Sequence, residues 1–276
     1  MITAPKHGRL KVLLEASHPA HVHFFQPIAD ELCARGHRVA LATRDKDVTH
    51  ELAERANIPV ISPPYEQSRR PSAQVRLDRQ AVELLRRVIW LRGIVAGEGF
   101  DIVVTRNPSG VLAAVLSRRE SIFDTDDGTE AGLHYWLAAA FASVITTPEA
   151  LPEQLGDRQR RYPGLKTTVF LHPKRFSPDG DVLKRYGIRP GEKLVTARFS
   201  ANTASHDLGV DSVPPDVIEQ IVDVVSPRAH LVLSFEGEGA RLIRQRTAHC
   251  NQEGKAATQG GIDVRAFDFL HLLAYS

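Results

Sequence analysis

Sulfur is scarce in this sequence: two cysteines, Cys33 and Cys250, and one methionine stand among 276 residues. Neither cysteine has a CxxC neighbour or another zinc-ligand partner in sequence. That excludes a disulfide scaffold and a zinc ribbon, and it predicts reduced thiols in a cytoplasmic setting. Long apolar runs are also missing. No stretch reaches the length of a membrane span, and Met1 to Arg9 lacks the apolar core of a secretory signal. Charge of one sign is absent too. Lys+Arg 35 against Asp+Glu 33 leaves a net charge of +2, which gives no footing for nucleic acid. GxGxxG, Walker and GxSxG patterns are all lacking, so none of these phosphate loops or nucleophile elbows carries the chemistry.

What is present is a repeated rhythm. With 42% apolar residues the chain can bury two ordinary cores. Apolar strand patterns cover Leu10–Glu15, His37–Thr43, Pro59–Ile61, Asp101–Val104, Ser121–Phe123 and Val144–Thr146. Helical patterns lie between them, including a long amphipathic one over Ala73–Ala96 with Val75, Val82, Leu85, Val88 and Ile89 on its apolar side. Strands alternating with helices predict parallel βαβ units wound into a doubly wound sheet. Prolines and a charged run break the rhythm over Pro148–Gly164, and it resumes with strands at Leu194–Ser200, His230–Phe235 and Ile262–Arg265. We therefore expect an α/β protein of two Rossmann-like domains, residues 1–163 and 164–276. The second holds only about three strand-helix steps, each taking roughly 30 residues, so it is expected to be incomplete.

Four clusters sit where such sheets gather ligands, at strand carboxyl ends. The first is Ser17-His18-Pro19-Ala20-His21-Val22-His23, read as the loop before a helix that opens near Gln26. An imidazole there suits proton transfer near neutral pH. The alternatives are a loop hydrogen bond or a zinc ligand, the latter without the helical HExxH spacing. The second is Asp124-Thr125-Asp126-Asp127, which could orient a histidine, bind hydroxyls or a cation, or simply cap a helix. The third is Arg106-Asn107-Pro108-Ser109-Gly110, where backbone N–H groups at a helix start can hold an anion, although ordinary turn chemistry explains it equally well. The fourth is Arg198-Phe199-Ser200-Ala201-Asn202, continuing through Ser205, His206 and Asp207. A fixed cation among short polar side chains suits phosphate and ribose. Separately, Arg69, Arg70, Arg76, Arg79, Arg86, Arg87 and Arg92 surround the long helix. Such a helix can rest on an anionic membrane, though a solvated face is the commoner outcome.

These motifs together carry a resemblance. The histidine stretch, Ala42–Asp47, Phe123–Gly128, Arg161-Tyr162-Pro163-Gly164, Leu171-His172-Pro173 and Arg198–Asp207 resemble the family called domain of unknown function 354. The resemblance implies a GT-B-like architecture, shared with UDP-N-acetylglucosamine 2-epimerases and nucleotide-sugar glycosyltransferases. It also implies that the family continues beyond the segment matching Asp268–Ser276, into a glycine-rich loop and closing helices, so this chain is expected to be a shortened version. On that basis a nucleotide sugar is the expected substrate, with an unidentified acceptor and neither cofactor nor metal. His18, His21, His23, Asp124, Asp126 and Asp127 are the expected catalytic residues. Ser17, Arg106, Ser109, Arg198, Ser200, Asn202, Ser205, His206 and Asp207 are the expected substrate contacts. A non-catalytic binding or scaffold protein is the alternative, and a His/Asp metal hydrolase a third reading.

Overall fold

A computed structural model describes residues 8–43, 52–54, 58–64, 77–189, 191–199, 213–235, 262–263, 272–274 and 276. The chain divides into two compact units, Met1–Phe176 and Ser177–Ser276.

The first unit is built on a seven-stranded sheet in the order β3-β2-β1-β4-β5-β6-β7. Its strands are β1 (Lys11–Ala16), β2 (Arg38–Thr43), β3 (Val60–Ile61), β4 (Ile102–Thr105), β5 (Glu120–Asp124), β6 (Val144–Pro148) and β7 (Gln159–Tyr162). Every pairing is parallel. Five consecutive residues of β1 and five of β2 are buried. Strands covered on both faces by helices read as continuous apolar runs, which is why both are visible in the sequence. The helices are α1 (Pro19–Ala34), α2 (Leu77–Gly97), α3 (Pro108–Leu116), α4 (Leu133–Ala139) and the short α5 (Thr168–Leu171), with a 3-10 turn at Gly128–Ala131. β1 steps toward β2 while β4 steps toward β5, so their carboxyl ends diverge. That divergence opens the crevice where α/β sheets hold ligands.

Three expectations change. The histidine stretch is not a loop: His18 is the N-cap of α1, Pro19 its first residue, and His21 and His23 lie inside it. Proline fits that first position because the helix does not use its missing N–H there. Pro148–Gly164 is not only a connection, since it contains β7, paired in parallel with β6. The division between units falls after Phe176, not at 163.

The long helix also turns a different face inward. Leu91 and Val95 pack with Leu13, Phe100 and Val103, and Val88 is buried on the same helix. Val82, Leu85 and Ile89, expected to be buried, are 50%, 59% and 59% exposed. Val75 lies outside the described residues. Arg87 faces inward and is 4% exposed, because Glu15 answers its charge. Glu15 is fully buried on β1. It accepts bonds from Arg87 Nε, Thr105 Oγ1 and Ser109 Oγ, each at 2.7 Å. A buried carboxylate with three donors, one of them a cation, is stable where a bare one would not be. Gly110 lets α3 approach this group, since a Cβ there would collide with Glu15 Oε2 and the Thr105 side chain.

The second unit contains a three-stranded parallel sheet, β10-β9-β8. Its strands are β8 (Leu194–Phe199), β9 (His230–Phe235) and β10 (Ile262–Asp263), and its helices α6 (Asp181–Arg185) and α7 (Pro215–Val225). Val182, Ile188, Leu194, Val232 and Leu272 form its core.

Candidate functional site

The carboxyl edge of the first sheet brings together polar and charged groups from four strand ends. β4 delivers Arg106, β5 delivers Asp124 and Asp126, β6 delivers Thr146, and the chain beyond β7 delivers Lys166. The Arg106 guanidinium donates to both Asp124 and Asp126. Thr146 Oγ1 donates to the other oxygen of Asp124 at 2.9 Å. Lys166 Nζ lies 2.6 Å from the other oxygen of Asp126. His134, on α4, places its Nε2 3.0 Å from the Arg106 carbonyl. The Phe24 ring lies under the Arg106 guanidinium, 5.5 Å away.

The two carboxyls differ in character. Asp124 is 3% exposed, and burial pushes its pKa above the ordinary value despite Arg106 and the Thr146 hydroxyl. Burial also pushes Asp126 upward, but Arg106 and Lys166 outweigh it and hold that carboxyl below its ordinary value. For Arg106, burial is opposed by the two aspartates, which together raise its pKa. Tyr162, at the end of β7, is pushed well above the ordinary phenol value by burial and then by Asp124. Neighbouring acids with pKa values driven apart are how one site holds both a proton donor and a fixed anion.

The histidines divide. His21 sits at the α1 entrance, its Nδ1 accepting from the Ser17 N–H at 3.4 Å. That bond leaves the proton on Nε2. Burial first, then Arg106 and His18, hold the His21 pKa well below the ordinary value, so the ring is neutral at physiological pH. His18 Nδ1 accepts from the Ala20 N–H at 3.2 Å as a helix cap; its ring centroid is 6.0 Å from that of His21. Three residues apart on a helix, these two share a face, whereas His23 is two residues on and does not. The His23 ring stacks on Phe170 at 5.7 Å, and burial lowers its pKa.

Other expected contacts fall elsewhere. The Ser109 hydroxyl is turned inward onto Glu15 and is not presented at the sheet edge. Asp127 is exposed and begins the 3-10 turn without a side-chain cap bond. That turn is held from below by Glu153, whose oxygens accept from Thr129 N and Oγ1, each at 2.9 Å. Arg198 is exposed near the carboxyl end of β8 in the second unit. Ser200, Asn202, Ser205, His206 and Asp207 lie outside the described residues.

Lys166, His134, Thr146, Tyr162 and Glu153 were not singled out as site residues from sequence. Only Tyr162 carried a signal, as part of Arg161-Tyr162-Pro163-Gly164. Three buried polar groups in this region, Arg106 Nε, Asn107 Nδ2 and the Tyr162 hydroxyl, have no hydrogen-bond partner. Among the described residues no three His, Cys, Asp or Glu side chains are grouped to hold a metal ion.

This arrangement is similar in fold to solved sugar-nucleotide proteins. A putative UDP-N-acetylglucosamine 2-epimerase from Listeria monocytogenes matches with TM-score 0.66 at 15% identity, over 98% of this chain and 73% of that one. UDP-GlcNAc 2-epimerase from Neisseria meningitidis, bound to UDP-GlcNAc, matches with TM-score 0.61 at 10% identity, over 97% and 76%. The S. aureus MnaA–UDP structure matches with TM-score 0.60 at 10% identity, over 96% and 72%. The fold is therefore α/β and GT-B-like, of the kind found in UDP-sugar epimerases. No family model and no curated protein matches this chain.

Proposed function

We propose that this protein binds a nucleotide sugar and transforms it, as an epimerase or a glycosyltransferase, and that it belongs with the domain of unknown function 354. The observation that carries the reading is the Arg106–Asp124–Asp126 cluster beside neutral His21, at the crevice edge of a doubly wound sheet. Two of the similar structures hold UDP-GlcNAc or UDP by name, which supports the choice of ligand class.

In this reading Asp124 is the proton carrier. Burial raises its pKa above the ordinary carboxyl value, which favours its holding a proton that it can pass to the substrate. His21 donates through Nε2 to a sugar oxygen or takes a proton from it. Arg106, Asp126 and Lys166 fix the local charge, so that little reorganisation is needed as charge develops. Sugar hydroxyls would satisfy the unpartnered donors of Arg106 and Asn107. Arg198, with Ser200, Asn202, Ser205, His206 and Asp207, would hold the diphosphate and ribose, where a cation offsets the leaving group's charge.

Calorimetry of the chain with UDP, UDP-sugars and GDP-sugars tests the ligand. We expect saturable binding of one nucleotide class, and binding of none refutes the reading. Asp124→Asn and His21→Gln should each lower turnover by about 10²-fold or more while leaving affinity for the free nucleotide within a fewfold. Turnover in D₂O separates the two reactions: deuterium entering the recovered sugar marks epimerisation, and none marks transfer. A binding-only protein is the second reading, favoured by one feature: both carboxylates are already paired with Arg106. Binding without turnover of any donor would decide for it.

A further inference from the structure

The crossovers β3→β4, β4→β5 and β5→β6 all step the same way across the sheet. Right-handed connections therefore put α2, α3 and α4 on one face. They pack side by side, α2 on α3 and α3 on α4. Among the described residues, eight of the fourteen large apolar side chains that stand exposed belong to this one layer and the turns that close it. Val82, Leu85 and Ile89 form a stripe along α2, Leu116 ends α3, and Leu133 and Trp136 lie on α4. Scattered apolar residues need no explanation, but a concentration on one face marks an interaction surface.

The charges among them decide the partner. Arg86 and Arg92 flank the stripe on α2, and Arg118 and Arg119 follow α3; all four are exposed. The exposed acids of the layer among the described residues are Glu98, paired with Lys11 at 3.1 Å, and Asp127 and Glu130 on the 3-10 turn at its edge; Glu83 on α2 is half-buried. A second copy of the same face would bring arginine against arginine with few acids to answer them. An acidic lipid surface answers both features at once, taking the apolar side chains into the headgroup boundary and the guanidiniums at the phosphates. No helix among the described residues is long and apolar enough to cross a membrane, so contact would be with the surface.

We propose that the α2–α3–α4 face docks on an anionic lipid bilayer. This is independent of what the sheet edge binds. Co-sedimentation of the full chain with phosphatidylcholine vesicles, with and without about 30% phosphatidylglycerol, tests it. Association with the acidic vesicles, absent from the neutral ones and lost in high salt, is expected. Each arginine near such a surface is worth about fivefold in partitioning. Arg86→Gln with Arg92→Gln should therefore weaken binding about 25-fold, and Leu85→Glu with Ile89→Glu at least tenfold. These side chains are open to solvent, so circular dichroism and Tm should be unchanged. No association with acidic vesicles, or association that neither double variant weakens, overturns the proposal. So does a dimer in analytical ultracentrifugation that Leu85→Glu with Ile89→Glu splits, if vesicles do not bind.

Discussion

Replacing Arg106 with methionine isolates the electrostatics of the candidate site. Asp126 would keep Lys166 at 2.6 Å and some contact with water, its side chain being 23% exposed. Asp124 is worse placed. At 3% exposure it would keep the Thr146 hydroxyl and lose its guanidinium partner. Leaving a buried charge without its partner costs about 3–5 kcal/mol, so we expect a loss near 4 kcal/mol at neutral pH. The lost Phe24 contact adds about 0.5–1 kcal/mol. The sign of the pH dependence follows from proton counts. Asp124 is already raised above its ordinary value by burial, and without Arg106 it climbs further. Between the unfolded value and the raised folded one, the folded state binds more protons. Stability then rises as pH falls, by up to about 1.4 kcal/mol per pH unit. Both tryptophans, Trp90 and Trp136, lie in the first unit, so urea unfolding followed by their fluorescence reads that unit alone. At about pH 7.5 the full loss should appear, and at about pH 5.5 much of it should be gone. Asp124→Asn in the same chain should restore most of it, a coupling of roughly 2 kcal/mol or more. A single-variant loss under about 1 kcal/mol, equal losses at both pH values, or plain additivity would refute the argument.

Two glycines within helices should respond oppositely to alanine. Gly93→Ala, with nothing within 4 Å of the new Cβ, should stabilise by about 0.5–1 kcal/mol; Gly110→Ala, forced against Glu15 and Thr105, should destabilise by about 2 kcal/mol, and urea midpoints compare them directly. Thr105→Val removes the hydroxyl that donates to Glu15 at 2.7 Å and accepts from Asn107 N–H at 2.8 Å; a loss of about 2 kcal/mol is expected by thermal or urea unfolding. His21 should stay neutral through pH 6 in imidazole NMR. Its folded pKa lies below the unfolded 6.5, so stability should fall as pH drops below about 6.5, and His21→Gln should flatten that slope. A His21 ring that titrates at or above 6.5 would contradict it.

The sequence revealed the sheet where burial on both faces makes a strand apolar throughout, as in β1 and β2. It hid β7, whose residues Gln-Arg-Arg-Tyr read as a linker because an edge strand needs less apolar surface. The start of α1 was misread because three histidines suggested a loop, although Pro19 after a capping residue is a helix-start signal. On α2 two apolar stripes compete, and Arg87, grouped in the sequence with the arginines around the helix, lies on the core face. The clusters at Arg106 and Asp124–Asp126 were legible from their place after strands. Their mutual pairing, and the arrival of Lys166 and Tyr162, depend on the β6–β7 pairing that local pattern does not reveal.

The buried carboxylate on β1 has a bearing on synthesis. Its three partners lie 72, 90 and 94 residues further along the chain. A nascent polypeptide that ends before Ser109 therefore carries an early apolar strand with an acid at its tip and an incomplete set of groups to receive it. The set is complete only once Ser109 on α3 has been made, so the most N-terminal strand is satisfied by groups from across the first half of the chain.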